Sequence, residues 1–124
     1  MNLLLDTHVL LCWLATSDRL SKKARRAITD SALVYVSAAR VWEIAIKRAL
    51  GKLEIPDNLE ETLEANALVP LPIHVSHAIA AGRLPRHHDD PFDRMLVAQA
   101  ALESLTLLTA DERLKVYGAS ILMA

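Results

Sequence analysis

Four short segments of this chain, Leu3-Leu4-Leu5, Val34-Tyr35-Val36, Leu68 to Leu71 and Leu105 to Leu108, are apolar without regular alternation, Thr106 being the one polar break among them. A strand with one wet face alternates polar and apolar side chains. A strand that is apolar throughout must be covered on both faces, the condition of a parallel sheet between layers of helices. The intervening segments carry the helix signals. Thr7 after Asp6 opens an apolar helix to about Leu14, and Ser21 opens a basic one to about Asp30. Ser37 is placed to cap a third helix, in which Ala38, Val41, Trp42, Ala45, Ile46 and Ala49 follow the i, i+3, i+4 spacing; Gly51 stands where it would stop. Asp57 with Glu60 reads as a capping pair for a helix through about Ala67. Pro72 closes the third strand, and a weaker helix from His74 to Ala81 ends at Gly82. After the polar loop Arg83 to Asp90, Pro91 suits the first position of a helix to about Glu103. A turn of helix after Asp111 and a strand over Ser120 to Leu122 complete the pattern. With no repeat or linker in 124 residues, it predicts one α/β domain over residues 1–124.

Composition narrows the classes of function. Apolar residues make up 52% but fall in runs far below the ~20 needed to cross a bilayer, so no membrane association is expected. The start, Met1 to Asp6, lacks the charged leader and long apolar stretch of a signal peptide, and the expected location is the cytosol. Cys12, the single cysteine, lies in an apolar run and reads as core. A net charge of −1 argues against a protein held to nucleic acid by bulk positive charge. The average hides a division, however, because basic residues are bunched at Lys22 to Arg26, Arg40 to Lys52 and Arg83 to Arg94, where a polyanion could approach.

Four acids stand at strand ends or in the early turns of helices that start there: Asp6, Glu43, Asp93 and Asp111. Each also has an ordinary explanation. Asp6 and Asp111 can cap helices, Glu43 can pair with Lys47 one turn on, and Asp93 can favour a helix dipole behind the cap Asp90. In a parallel sheet, however, the strand carboxyl ends share one edge, where the functional crevice lies. Several carboxylates gathered there repel one another unless a cation is present. An all-oxygen set suits Mg²⁺ or Mn²⁺ better than zinc.

The residues then reach a resemblance. Leu4-Leu5-Asp6-Thr7-His8, Val41-Trp42-Glu43-Ile44-Ala45-Ile46-Lys47, Asp90-Pro91-Phe92-Asp93-Arg94-Met95-Leu96 and Thr109-Ala110-Asp111 occur in the order seen in PIN-domain nucleases. Within them the chain resembles the VapC-type toxins of bacterial toxin–antitoxin pairs over almost its full length. Leu50-Gly51-Lys52-Leu53 followed by Pro56 resembles one branch of that family. The resemblance implies a three-layer α/β/α fold with a central parallel sheet, and an acid quartet carried over to Asp6, Glu43, Asp93 and Asp111 around Mg²⁺ or Mn²⁺. It also implies endonucleolytic cleavage of RNA, a cognate antitoxin over the grooves near the third and fourth helices, and a homodimer.

On this reading a metal held by Asp6 and Asp93 activates water, with Glu43 or Asp111 orienting it, and cleavage leaves a 5′-phosphate. Thr7, Ser37 and Thr109 are candidates to orient a carboxylate or touch phosphate, with capping as the plain alternative; Arg94 is a candidate phosphate contact. Arg40, Lys47, Arg48 and Lys52 read either as a solvated helix face or as a backbone-binding one. Trp13 and Trp42 read as core. A rival zinc site would draw on His74, His77, His87 and His88. Rival functions are an α/β module that binds RNA or a partner without cutting, a stand-alone nuclease without antitoxin, and a phosphate-accepting receiver domain. The receiver would want an acidic pair after the first strand and a lysine after the last.

Overall fold

The computed structural model describes residues 1–124 except Pro56 and Ala119. Pro56, one of the residues carrying the branch resemblance, thus lies outside the described residues. The chain runs β1 (Asn2–Leu5), α1 (Thr7–Leu14), α2 (Lys22–Asp30), β2 (Leu33–Ser37), α3 (Ala38–Ala49), α4 (Leu59–Ala65) and β3 (Leu68–Leu71). It continues through α5 (Val75–Arg83), α6 (Pro91–Leu102), β4 (Thr106–Thr109), a 3₁₀ helix (Glu112–Tyr117) and β5 (Ile121–Met123). The five strands form one wholly parallel sheet in the order β3-β2-β1-β4-β5.

The unalternating strands are explained by two cores. Leu3, Leu5, Val34, Val36, Leu68 and Leu108 point to one face, where Val9, Leu10, Ala24, Ile28 and Leu63 of the first, second and fourth helices cover them. Leu4 and Leu107 point to the other, against Leu96, Val97 and Ala100 of α6 and Leu114 of the 3₁₀ helix. Leu3, Leu4 and Leu5 are all fully buried, as a strand sandwiched between helices requires. Among the described residues no helix is long and apolar enough to cross a membrane.

Two of the helix signals read from the sequence differ in the structure, while β3 has the expected bounds. Asp57 and Glu60 do not cap α4: Asn58 holds the cap position without a side-chain bond, and Asp57 pairs with Arg48 instead. Gly82 does not end α5, which continues to Arg83 and stops before Leu84-Pro85, where proline disfavours a helical predecessor. Pro70 sits inside β3, and its missing N–H is tolerated because β3 is an edge strand. Gly51 does end α3, at φ +71°, with its N–H and that of Lys52 returning to Arg48 and Lys47 carbonyls.

The strand order sets where a site can form. From β1 the chain passes outward through β2 and β3, then returns across the sheet to place β4 on the opposite side of β1. The carboxyl ends of β1 and β4 therefore flank the point where the winding reverses, the place where open parallel sheets form a crevice.

Candidate metal centre

Two acids are delivered by these strand ends. Asp6 follows β1 directly, and its backbone N–H donates to the Leu108 carbonyl of β4 at 3.1 Å. One carboxylate oxygen caps α1 by accepting the Val9 N–H at 2.8 Å, while the other accepts the hydroxyl of Thr109. Asp111, two residues past β4, caps the 3₁₀ helix through the Arg113 N–H at 3.0 Å. Capping and site placement are thus one arrangement: the cap bond aims each carboxylate along the sheet's edge.

The other two come from helices that begin at the same edge. Asp93, in the first turn of α6, is buried and caps nothing; Asp90 is the cap, accepting the Phe92 N–H at 2.8 Å. Glu43 lies on the inward face of α3. Its Oε1 accepts the Thr7 hydroxyl at 2.6 Å and Arg40 Nη1 at 2.8 Å, and Lys47 Nζ stands 3.3 Å from Oε2. Asp6, Asp93 and Asp111 line one open cleft of about 460 Å³ together with Thr7, Arg40 and Lys47. That is room for a nucleotide-sized group. Glu43 is not on the wall itself but sits behind Arg40 and Lys47.

Arg40 is the residue sequence reasoning misplaced. It reads from its neighbours as part of an exposed basic helix, yet only 3% of it is exposed, and its guanidinium bridges Glu43 and Asp93. Burial pulls Arg40 down most strongly, but the hydrogen bonds and charges of Asp93 and Glu43 outweigh it and raise the group above its ordinary value. Burial likewise pushes Glu43 upward. The Thr7 hydroxyl, the Arg40 guanidinium and Lys47 together exceed that push and hold the carboxyl below its usual range. Asp111 is held to about 2, chiefly by Arg113, whose Nε and Nη2 lie 3.0 and 2.7 Å from its two oxygens.

His88 is the second addition. Its Nδ1 accepts the Asp90 N–H at 3.1 Å, and its Nε2 is buried 3.1 Å from Asp93 Oδ2 and 3.6 Å from Asp111 Oδ2 without a well-directed hydrogen bond to either. A neutral ring that accepts at Nδ1 carries its proton on Nε2, so His88 faces the acids as a donor. The sequence held a signal for it: an imidazole two residues before a helix cap can accept the cap's N–H, which turns the ring toward the helix's first turn. His88, Asp93 and Asp111 offer three atoms within 4.8 Å of one another, and no other such group occurs among the described residues. His74 and His77 are elsewhere, with the His74 N–H bonded to His77 Nδ1 at 3.0 Å and His77 packed beside Gln99 and Glu103. The four-histidine zinc grouping is not formed.

The remaining candidates have clear positions. Ser37 is fully buried and caps α3 through the Ala39 N–H at 3.0 Å. Thr109, besides donating to Asp6, accepts the Asp111 N–H at 3.0 Å, so one hydroxyl ties both strand-end acids together. Arg94 departs from the expected phosphate contact. Its two terminal nitrogens donate to the carbonyls of Ala81, Leu84, Pro85 and His88, clasping the end of α5 and the following loop to α6. Trp42, expected in the core, is 63% exposed, its ring set edge-on to that of Phe92. The cleft wall carries the carboxylates of Asp6, Asp93 and Asp111 and the imidazole of His8 but no thiolate, which fits a hard divalent cation, while the protonated His88 Nε2 offers no lone pair to it.

Comparison with known proteins points the same way. A PIN domain family model matches residues 3–119. Ribonuclease VapC22 of Mycobacterium tuberculosis is 32% identical over 122 residues, covering 92% of this chain and 90% of that protein. Among solved structures, VapBC2 from Rickettsia felis bound to a DNA fragment from their promoter superposes with a TM-score of 0.70 at 14% identity, covering 100% of this chain and 98% of the other. A toxin–antitoxin complex from Klebsiella pneumoniae gives 0.69 at 16% identity, covering 96% and 94%. At such identities the structural likenesses speak for the fold.

Proposed function

The chain belongs to the PIN-domain family, in its VapC-type branch, and from that premise we propose that it is a divalent-metal-dependent endoribonuclease, the toxin of a type II toxin–antitoxin pair. The observation that carries the reading is the convergence of Asp6, Asp93 and Asp111 from β1, α6 and β4 on one cleft, with Glu43 joined to Asp93 through Arg40. Mg²⁺ or Mn²⁺ is the proposed cation, held by Asp6, Asp93 and Asp111. When bound, it supplies Lewis-acid polarisation of the phosphodiester and an acidified water as nucleophile.

The chain's own residues do the rest. Thr109 orients Asp6, and Arg113 keeps Asp111 ionised. Thr7 and Lys47 fix Glu43, the fourth acid, behind the cleft wall. Lys47 is half exposed at the cleft and offers its ammonium to an RNA phosphate. Because water attacks phosphorus, the 2′-hydroxyl takes no part and the product carries a 5′-phosphate.

The same reading supplies partners. The apolar stripe of α3 lies largely on the outside, with Trp42, Ile46 and Leu50 exposed, and a groove between α3 and α4 is lined by Val41, Ala45, Ala49, Ile55 and Leu59. We assign the groove to a cognate antitoxin and the exposed stripe to a homodimer contact, in the cytoplasm, where RNA is the substrate. The test is incubation of RNA with the chain and its Asp93→Asn variant in Mg²⁺ or Mn²⁺, with and without EDTA. Cutting to 5′-phosphate ends, lost with EDTA and in the variant, is expected. A 2′,3′-cyclic phosphate would overturn the water mechanism, and RNA binding without cutting would identify a binding module.

A further inference from the structure

A two-ion nuclease site needs a carboxylate that bridges both ions, which stand about 4 Å apart, and a further ligand on the far side of each. Asp93 is the central acid of this cleft, between Asp111 and His88 on one hand and Glu43 on the other. Its two oxygens have different neighbours. Oδ2 faces His88 and the Asp111 side, whereas Oδ1 is bound by the Arg40 guanidinium. The far-side acid is engaged as well: Glu43 Oε1 receives both Thr7 and Arg40, and Oε2 lies beside Lys47. Arg40 itself is held in place, with its side chain 4% exposed, in a first-turn position of α3, and bound at both terminal nitrogens. Unlike a lysine or histidine it cannot lose its proton to escape burial. Its Nε has no partner, so the guanidinium is kept there by the two carboxylates and not by a fuller hydrogen-bond cage.

We propose that the cleft of this chain takes a single divalent cation, on the Asp6–Asp93–Asp111 side, and that the Arg40 guanidinium stands permanently where a second ion would bind between Asp93 and Glu43. This rests on the metal-nuclease reading and deepens it. A fixed monovalent charge in the second position neutralises part of the acid cluster without exchanging with solvent ions, so the Asp93–Glu43 edge is occupied at every metal concentration. The first ion then binds to a cluster already partly compensated.

The test is a count of Mn²⁺ bound per full-length chain, by native mass spectrometry and by isothermal titration, for the wild type, Arg40→Gln, Arg40→Lys and Asp93→Asn. One ion is expected in the wild type and in Arg40→Lys, two in Arg40→Gln, and at least tenfold weaker binding in Asp93→Asn. In EDTA, Arg40→Gln should melt several degrees below the wild type, and Mn²⁺ should raise its melting temperature by more than it raises that of the wild type. Two ions in the wild type, or a single ion in folded Arg40→Gln, would overturn the proposal while leaving the nuclease reading in place. The wild-type count decides the matter even if Arg40→Gln does not fold. No Mn²⁺ on the wild type at millimolar concentration would instead overturn the metal-nuclease reading itself.

Discussion

Helices α3 and α6 are each 12 residues long, both start at the carboxyl edge of the sheet, and both bring an acid to the cleft, yet they are built the opposite way round. Behind Asp93, α6 buries Leu96, Val97, Ala98, Gln99 and Ala100, and its apolar side completes the chain's own core. In α3 the buried side chains include Arg40 and Glu43, while the apolar stripe is largely turned outward, with Trp42 63% and Ile46 36% exposed. A helical hydrophobic pattern therefore reports that a face will be covered, without saying by what. For α6 the cover is the sheet; for α3 it is the proposed second molecule, and the inward face is left free to carry charge.

Each side of that contrast can be broken separately. The largest effect is expected for Asp93→Asn, which removes the charge that α6 brings to the cleft: RNA cleavage should fall by about 10²- to 10³-fold, measured as 5′-phosphate ends formed per minute. Replacing the acid that α3 brings, Glu43→Gln, should cost less, because Glu43 acts through Arg40 and Thr7. Next comes Leu96→Ala on the fully buried side of α6, expected to lower unfolding stability by about 2–5 kcal/mol in urea titration. Ile46→Ala on the outward side of α3 should stay within about 0.5 kcal/mol for the dilute chain, and an equal loss at the two positions would dissolve the contrast.

Trp42→Ala sharpens the comparison from the partner's side. It should raise the dimer dissociation constant about 30-fold in sedimentation equilibrium, the size expected of a central aromatic anchor, with little change in the melting temperature of dilute chain. The smallest effect concerns acid. Asp111 is held at about 2 by Arg113, below the unfolded value of 3.8, so its contribution to stability is fully present above the unfolded value and is lost as pH falls toward 2. Arg113→Ala should flatten the fall in stability across that window by lowering the value at neutral pH toward the acid one. An unaltered acid profile would mean the pair contributes nothing to the fold.

The sheet was legible because its signal is local and redundant. Leu3-Leu4-Leu5 is apolar at every position and Leu105 to Leu108 at all but Thr106, and both are short and bounded by polar residues, which is the pattern of strands covered on both sides; with parallel strands assumed, Asp6 and Asp111 share one edge. What stayed illegible is tertiary. Arg40 and Arg94 look like surface cations in sequence, since nothing local shows that one would be enclosed by Glu43 and Asp93 and the other anchored to four carbonyls of the α5–α6 connection. Trp42 misleads for the opposite reason: its spacing is that of a core residue, and the chain alone does not cover it. His88 falls between these cases, visible as a histidine before a helix cap but grouped in sequence with histidines that the fold keeps apart from it.

The pairing of β1 with β4 has a consequence for how the chain comes into being. Strand neighbours far apart in a polypeptide must wait for the later one to be made. The Thr109 hydroxyl that anchors Asp6 lies 103 residues further along the chain, so it and Asp111 beside it leave the ribosome long after β1. A growing chain that has not yet reached β4 has no assembled cleft, so the proposed cutting activity is withheld until β4 and Asp111 have been made.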